Sequence, residues 1–187
     1  MTVDKNEAQD YLATIEKVQQ QTRRALAQGG GPLYLMIWAA VWLVGFLGNQ
    51  YAPPDVAGKM WAVMDALGVI ASFFIGWRMA RRVRRPGLDA RIGWFWLVWL
   101  AYGFLIFGLA GVSDGTLISI LFAIYAMFGY VVMGLWLWRP LVWIGLGVTA
   151  LAALSYLFLP AYVNLIMAFL GSGALFFSGL DMYRNWR

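Results

Sequence analysis

The chain has 187 residues, of which 62% are hydrophobic and only 12% charged, with a net charge of +5 and a mean hydropathy of +0.68. A soluble domain carries about a quarter charged residues, so a chain this poor in charge cannot cover its surface against water, and lipid must be part of its solvent. It has no Cys and no His, which excludes disulfides, thiol catalysis, Cys/His zinc sites and histidine-ligated haem; its basic residues cluster beside apolar runs, a pattern that suits anionic lipid headgroups and not nucleic acid.

The first segment, 1–31, reads as a cytoplasmic amphipathic helix with a Gly-rich hinge. Ala8, Tyr11, Leu12, Ile15, Val18, Thr22 and Leu26 recur at steps of three and four, the period of a helical stripe. Asp4-x-x-Glu7 resembles a capping box with Asp in the first place. Acids come early while Lys17, Arg23 and Arg24 come late, as the helix dipole favours. Gly29-Gly30-Gly31-Pro32 then ends the helix. Asp4, Glu7, Asp10 and Glu16 stand where a signal peptide needs a basic start and an apolar core, so no cleaved leader is expected. The stripe fits a helix lying on the membrane surface, and its apolar positions also fit a heptad seam for pairing between protomers.

The second segment, 32–187, carries apolar runs at about 33–51, 60–80, 92–112, 117–138, 140–159 and 161–182. Each approaches the roughly 20 residues needed to cross the hydrocarbon core. The expected fold is therefore an all-α integral membrane protein with six transmembrane helices. Thirteen of the fourteen Lys and Arg fall on one side of these spans and Lys59 alone on the other. By the positive-inside rule this places both termini in the cytoplasm, with the bacterial inner membrane as the expected location. Trp77, Trp94, Trp96, Trp136, Trp138, Trp143 and Trp186 fall near the same face and read as an interfacial belt.

Residues 64–84 and 167–187 align without gaps, with 10 identities in 21 positions that include Gly68/Gly171, Phe74/Phe177, Gly76/Gly179 and Arg81/Arg184. A weaker match pairs Trp38, Gly45, Phe46 and Leu47 with Trp96, Gly103, Phe104 and Leu105. Together they predict three tandem two-helix hairpins, at about 32–85, 90–139 and 140–187, arranged as parallel repeats. Gly68, Ser72, Gly76 and Ala80 form a small-residue stripe, as do Gly171, Ala174, Ser178 and Gly179. Such stripes serve helix packing within the bundle, or an oligomer interface.

Asp65 is the one ionisable residue well inside an expected span. On a run starting near residue 60 it lies in the outer part of the membrane, and an intramembrane carboxylate marks a candidate site. Its repeat equivalents are Ala123 and Ala168. Asn49, Gln50 and Asn164 lie at similar or shallower depth, so Asp65, Asn49 and Asn164 form the candidate intramembrane polar site; Tyr102, Tyr125 and Tyr130 lie deeper. Arg78 and Asp181 stand at equivalent repeat positions with opposite charge and are expected to pair near the cytoplasmic face. Arg81, Arg82, Arg84 and Arg85 form a topology signal and a candidate contact for anionic lipid or an acidic partner.

No Ser/His/Asp set, paired intramembrane carboxylates, metal-spaced ligands or phosphate-binding loop is present, so neither an enzyme nor a metal or cofactor site is expected. Two functions follow. One is a non-enzymatic interaction or regulatory subunit that contacts membrane lipids and either a membrane protein partner or further copies of itself. The alternative is a small transporter or channel with a proton, cation or small polar solute site around Asp65.

Overall fold

The computed structural model describes residues 13–14, 17, 30–81, 88–136 and 139–185. Most of the amphipathic segment, together with Arg82, Arg84 and Arg85, lies outside the described residues. Within them are six helices long and apolar enough to cross a membrane, and no strand. They are α1 (Gly31–Tyr51), α2 (Pro54–Ala80), α3 (Leu88–Ala110), α4 (Gly115–Trp136), α5 (Arg139–Phe158) and α6 (Pro160–Asn185). The last opens with a 3₁₀ turn over Pro160–Tyr162 and carries a π-helical turn over Met167–Gly171.

Local chemistry sets the ends of these helices. Gly30 is left-handed, at φ 89°, and leads into α1 with Pro32 in its first turn, a place where proline's missing N–H costs nothing. Gly111, at φ 62°, follows the end of α3, where a side chain would be strained. Asp114 caps α4: one carboxylate oxygen accepts from the backbone N–H groups of Thr116 at 2.8 Å and Leu117 at 3.2 Å.

Helix α2 starts six residues earlier than its apolar run suggests. Pro53 and Pro54 fix its entry, and Asp55 sits in its first turn, as the helix dipole favours. Lys59 then reaches back four residues to Asp55 at 3.8 Å, a supportive spacing. These polar first turns carry no hydropathy signal, yet they are helical. The consequence is that Asp65 lies eleven residues in, about 16 Å along the axis, near the middle of the helix and not near its start.

The core does not draw equally on the six helices. Its buried residues come from α1 (Leu35, Ala39, Val41, Trp42, Phe46), α4 (Ile120, Ala123, Met127), α5 (Val148, Ala152) and α6 (Val163, Met167, Ala168, Leu175, Met182). Of the most apolar stretch of each span, 44% is buried in α1, 39% in α4, 22% in α5 and 44% in α6, but only 6% in α2 and 6% in α3. The most extensive contacts join α4 to α5 and α1 to α6, helices from different expected hairpins. A Cβ at Gly134 would stand 2.6 Å from the backbone nitrogen of Val142, and one at Gly145 2.8 Å from the carbonyl oxygen of Met127, so α4 and α5 meet backbone to backbone.

Helix α1 is held between α2 and α6. A Cβ at Gly68 would come within 3.0 Å of Val41, and one at Gly76 within 3.1 Å of the Tyr34 hydroxyl. On the other flank a Cβ at Gly179 would meet the Pro32 carbonyl oxygen at 2.8 Å and Leu35 and Met36 at 3.1 Å. The aligned pairs Leu67/Leu170 and Phe74/Phe177 are all exposed. Thus two aligned small-residue stripes grip one helix from two sides.

Candidate functional site

The α1–α2, α3–α4 and α5–α6 turns lie at one end of the bundle, called distal here; the start of α1 and the end of α6 lie at the proximal end. Asn49, in the last turn of α1, is the hub of a distal polar cluster. Its Nδ2 donates to Ser119 Oγ on α4 at 2.8 Å, and its Oδ1 accepts from Trp61 Nε1 on α2 at 3.1 Å. Ser119 Oγ donates in turn to the Gly115 carbonyl at 2.8 Å. One amide side chain therefore ties three helices together. A second tie joins α6 to α4, with Asn164 Nδ2 donating to Thr116 Oγ1 at 3.4 Å. Asn164 is 7% exposed, and its Oδ1 and that of Gln50 (Oε1) are buried without a partner.

Packing positions the Trp61 donor. The indole lies over Gly45, where a Cβ would be 2.6 Å from the ring, and it meets Phe46 edge-on at 5.2 Å. Phe46 is fully buried and meets Trp42 in the same manner at 5.9 Å. Glycine at position 45 is what allows the indole to lie flat against α1 and aim its N–H at Asn49.

The structure does not unite the three residues of the expected polar site. Asn49 and Asn164 are both bound to α4, whereas Asp65 lies one helical turn from Trp61 toward the proximal end. Asp65 is partly exposed and makes no hydrogen bond or ion pair with any described residue. Its aligned positions Ala123 and Ala168 are buried in the core. Two apolar clefts lie nearby, one lined by Val44, Leu47, Gly48, Tyr51, Ala52 and Met60, the other by Val44, Val56, Lys59, Met60, Val63 and Met64; neither includes Asp65, Asn49 or Asn164.

The three tyrosines part company. Tyr125 donates its hydroxyl to the Trp99 carbonyl at 2.8 Å and stacks on the Trp99 ring at 4.6 Å. Tyr130 meets Trp96 at 5.6 Å. Both belong to an aromatic seam, with Phe107 on Phe122 at 4.5 Å, that holds α3 to α4. Tyr125 occupies the space over Gly103, the repeat match of Gly45. Tyr102 is exposed.

At the proximal end Arg78 and Asp181 are both exposed and make no ion pair with each other. Asp181 instead accepts from Asn185 Nδ2 at 2.6 Å, a neighbour one turn along its own helix. In place of that pair, the Arg81 guanidinium lies 3.8 Å above the Trp77 ring, a cation–π contact of the kind found at an interface. Among the described residues no group of His, Cys, Asp and Glu is placed to hold a metal ion.

No family model matches the chain, and no curated protein or solved structure matches it. The distal cluster must therefore be judged on its own geometry. Ser119, Thr116 and Trp61 were not among the expected site residues. The signal for the first two was small hydroxyl residues at the distal end of α4; their partners on α1 and α6 are distant in sequence. The cluster's donors are directed mainly at other helices, which makes it a set of interhelical ties.

Proposed function

We propose that this protein is a non-enzymatic subunit, embedded in the bacterial inner membrane with both termini in the cytoplasm, that works by binding another membrane component through its outer helices. The observation that carries the reading is the position of α2 and α3, two membrane-length helices with only 6% of their apolar stretch buried within the chain. They leave Val63, Leu67, Ile70, Phe73, Phe74 and Trp77 of α2 exposed, with Trp94, Leu97, Val98 and Leu109 of α3. The transport alternative needs Asp65 to share a polar cavity with Asn49 or Asn164. The amides' hydrogen bonds to other helices, and the lone setting of Asp65, favour the subunit reading.

The same reading takes in the rest of the chain. Spans 1–2, 3–4 and 5–6 are three copies of one hairpin, supported by the shared exposure of the aligned pairs Leu67/Leu170 and Phe74/Phe177 and by the paired ring seats Gly45 and Gly103. The amphipathic segment lies at the cytoplasmic surface. Arg81, Arg82, Arg84 and Arg85 hold anionic headgroups there, with Trp77 at the same level.

Extraction from native membranes with surrounding lipid, followed by native mass spectrometry, tests this reading. A membrane protein bound at fixed stoichiometry is the expected result. Recovery of the chain with lipid alone, together with Asp65-dependent solute uptake into vesicles holding only this protein, overturns it in favour of transport.

A further inference from the structure

The subunit reading does not say what the partner looks like, and Asp65 narrows it. This carboxylate lies near the middle of α2, with no hydrogen bond or ion pair to any described residue. A mid-span carboxylate without a partner is costly in lipid and is ordinarily paired. Beside it runs a face of small residues. Gly58, Ala62 and Ala66 recur every four residues and all are exposed, and a Cβ at Gly58 would meet nothing within 4 Å. This face is distinct from the Gly68–Gly76 stripe, which is already occupied by α1. Asp65 stands on its border, between the occupied and the open sides of the helix.

We propose that Asp65 docks a transmembrane helix of another membrane protein, one that carries Lys or Arg at matching depth and packs along Gly58, Ala62 and Ala66. The inference rests on the subunit reading above. Charge complementarity selects the occupant. The small face lets two backbones approach closely, which a carboxylate on a single methylene needs in order to reach a basic group on a neighbouring helix. A second copy of this chain does not supply that group. None of its described basic residues lies mid-span: Lys17 precedes the six spans, Lys59 is distal and paired with Asp55, and Arg78, Arg81, Arg91, Arg139 and Arg184 are proximal. A symmetric copy would bring its own Asp65, a like charge, to the contact. Lipid headgroups lie at the membrane surface and do not reach the middle of a span.

The test uses the full chain in phosphatidylcholine nanodiscs, with energy transfer to a labelled membrane-spanning Leu/Ala peptide carrying one central Lys. The comparison peptide has Leu in that place. The Lys peptide should associate roughly tenfold more tightly than the Leu peptide, the size expected for one interhelical polar contact, and Asp65→Asn should abolish the preference. Asp65→Leu, measured in the protein alone, should leave the thermal midpoint unchanged or raise it, because it removes an unpaired carboxylate. Equal binding of both peptides to the wild-type chain overturns the proposal, and so does a fall in midpoint for Asp65→Leu, which would make the carboxylate a structural group. Self-association that Asp65→Asn abolishes also overturns it, in favour of a second copy. None of these results touches the subunit reading, which is tested separately by whether a stoichiometric partner co-purifies.

Discussion

Helices α1, α4, α5 and α6 form a packed core, while α2 and α3 are attached to its outside, and the two groups are held by different physics. The core helices meet through glycines whose neighbours are backbone atoms, as at Gly134, Gly145 and Gly179. The outer helices are held by side chains, rings above all. Trp61 of α2 lies over Gly45 while Val41 and Tyr34 of α1 lie against Gly68 and Gly76, and Tyr125 of α4 lies over Gly103 of α3 and bonds the Trp99 carbonyl. In lipid there is no hydrophobic force between helices, so association rests on close packing and interhelical hydrogen bonds. Backbone-to-backbone contacts give a fixed unit, whereas side-chain seats hold a helix by one face and leave its other side open. That difference leaves α2 and α3 with the least buried apolar stretches, the faces on which the proposed partner would bind.

Substitutions at glycine should separate the two regions most sharply. Gly145→Leu drives a side chain into the Met127 carbonyl and Val131 across the α4–α5 contact, and should cost about 3 kcal/mol or more, at the severe end of overpacking. Gly147→Leu lies on the same helix, with nothing within 4 Å of its added Cβ, and should be neutral or slightly stabilising. Thermal midpoints in detergent compare the two, and equal losses would break the distinction between packed and open faces.

The next effect concerns aromatic rings. Phe46 is fully buried and Phe74 is exposed on α2. Phe46→Ala should cost about 3–5 kcal/mol, while Phe74→Ala in the isolated protein should have little effect on the midpoint. A large loss at Phe74 would mean that α2 packs against this chain on its outer side as well.

The smallest effect is that of the distal ties. Trp61→Phe keeps a ring over Gly45 but removes the donor to Asn49, and should cost about 0.6 kcal/mol, the average for an interhelical hydrogen bond in a membrane protein. Asn49→Leu should cost somewhat more, since it removes the bond to Ser119 as well and leaves the Trp61 N–H without its acceptor. A double-mutant cycle between positions 49 and 61 measures the tie directly. A zero coupling energy would remove the hydrogen bond from the account of how α2 is held.

The six spans were legible in the sequence because each apolar run is long and its connections are short. The start of α2 was not, because Asp55 and Lys59 satisfy a helix end while interrupting the hydropathy run. The division into core and outer helices was also illegible. A soluble helix shows its buried face by an apolar stripe against a polar one, but here the exposed Leu67 and Phe74 are as apolar as the core-facing Val41 and Leu175. Asn49, Asn164 and Asp65 stood out as polar residues in apolar runs, yet their fates differ for a reason that lies far along the chain. Asn49 and Asn164 lie against α4, which supplies Ser119 and Thr116; Asp65 lies on a helix that α4 does not cover. Arg78 and Asp181 were matched by repeat position and charge, but matched positions need not be adjacent, and both side chains are exposed.

The central claim is that α2 presents a face that this chain does not cover and a partner does. Its most direct test is labelling by a lipid-soluble maleimide of single cysteines in this naturally Cys-free protein, at Ile70 on α2 and at the core residue Ala152 on α5. In the purified protein Ile70→Cys should react readily and Ala152→Cys should not. In native membranes at natural expression Ile70→Cys should become protected. Equal reaction of Ile70→Cys in both settings would contradict the account, because the face would then meet only lipid in the cell.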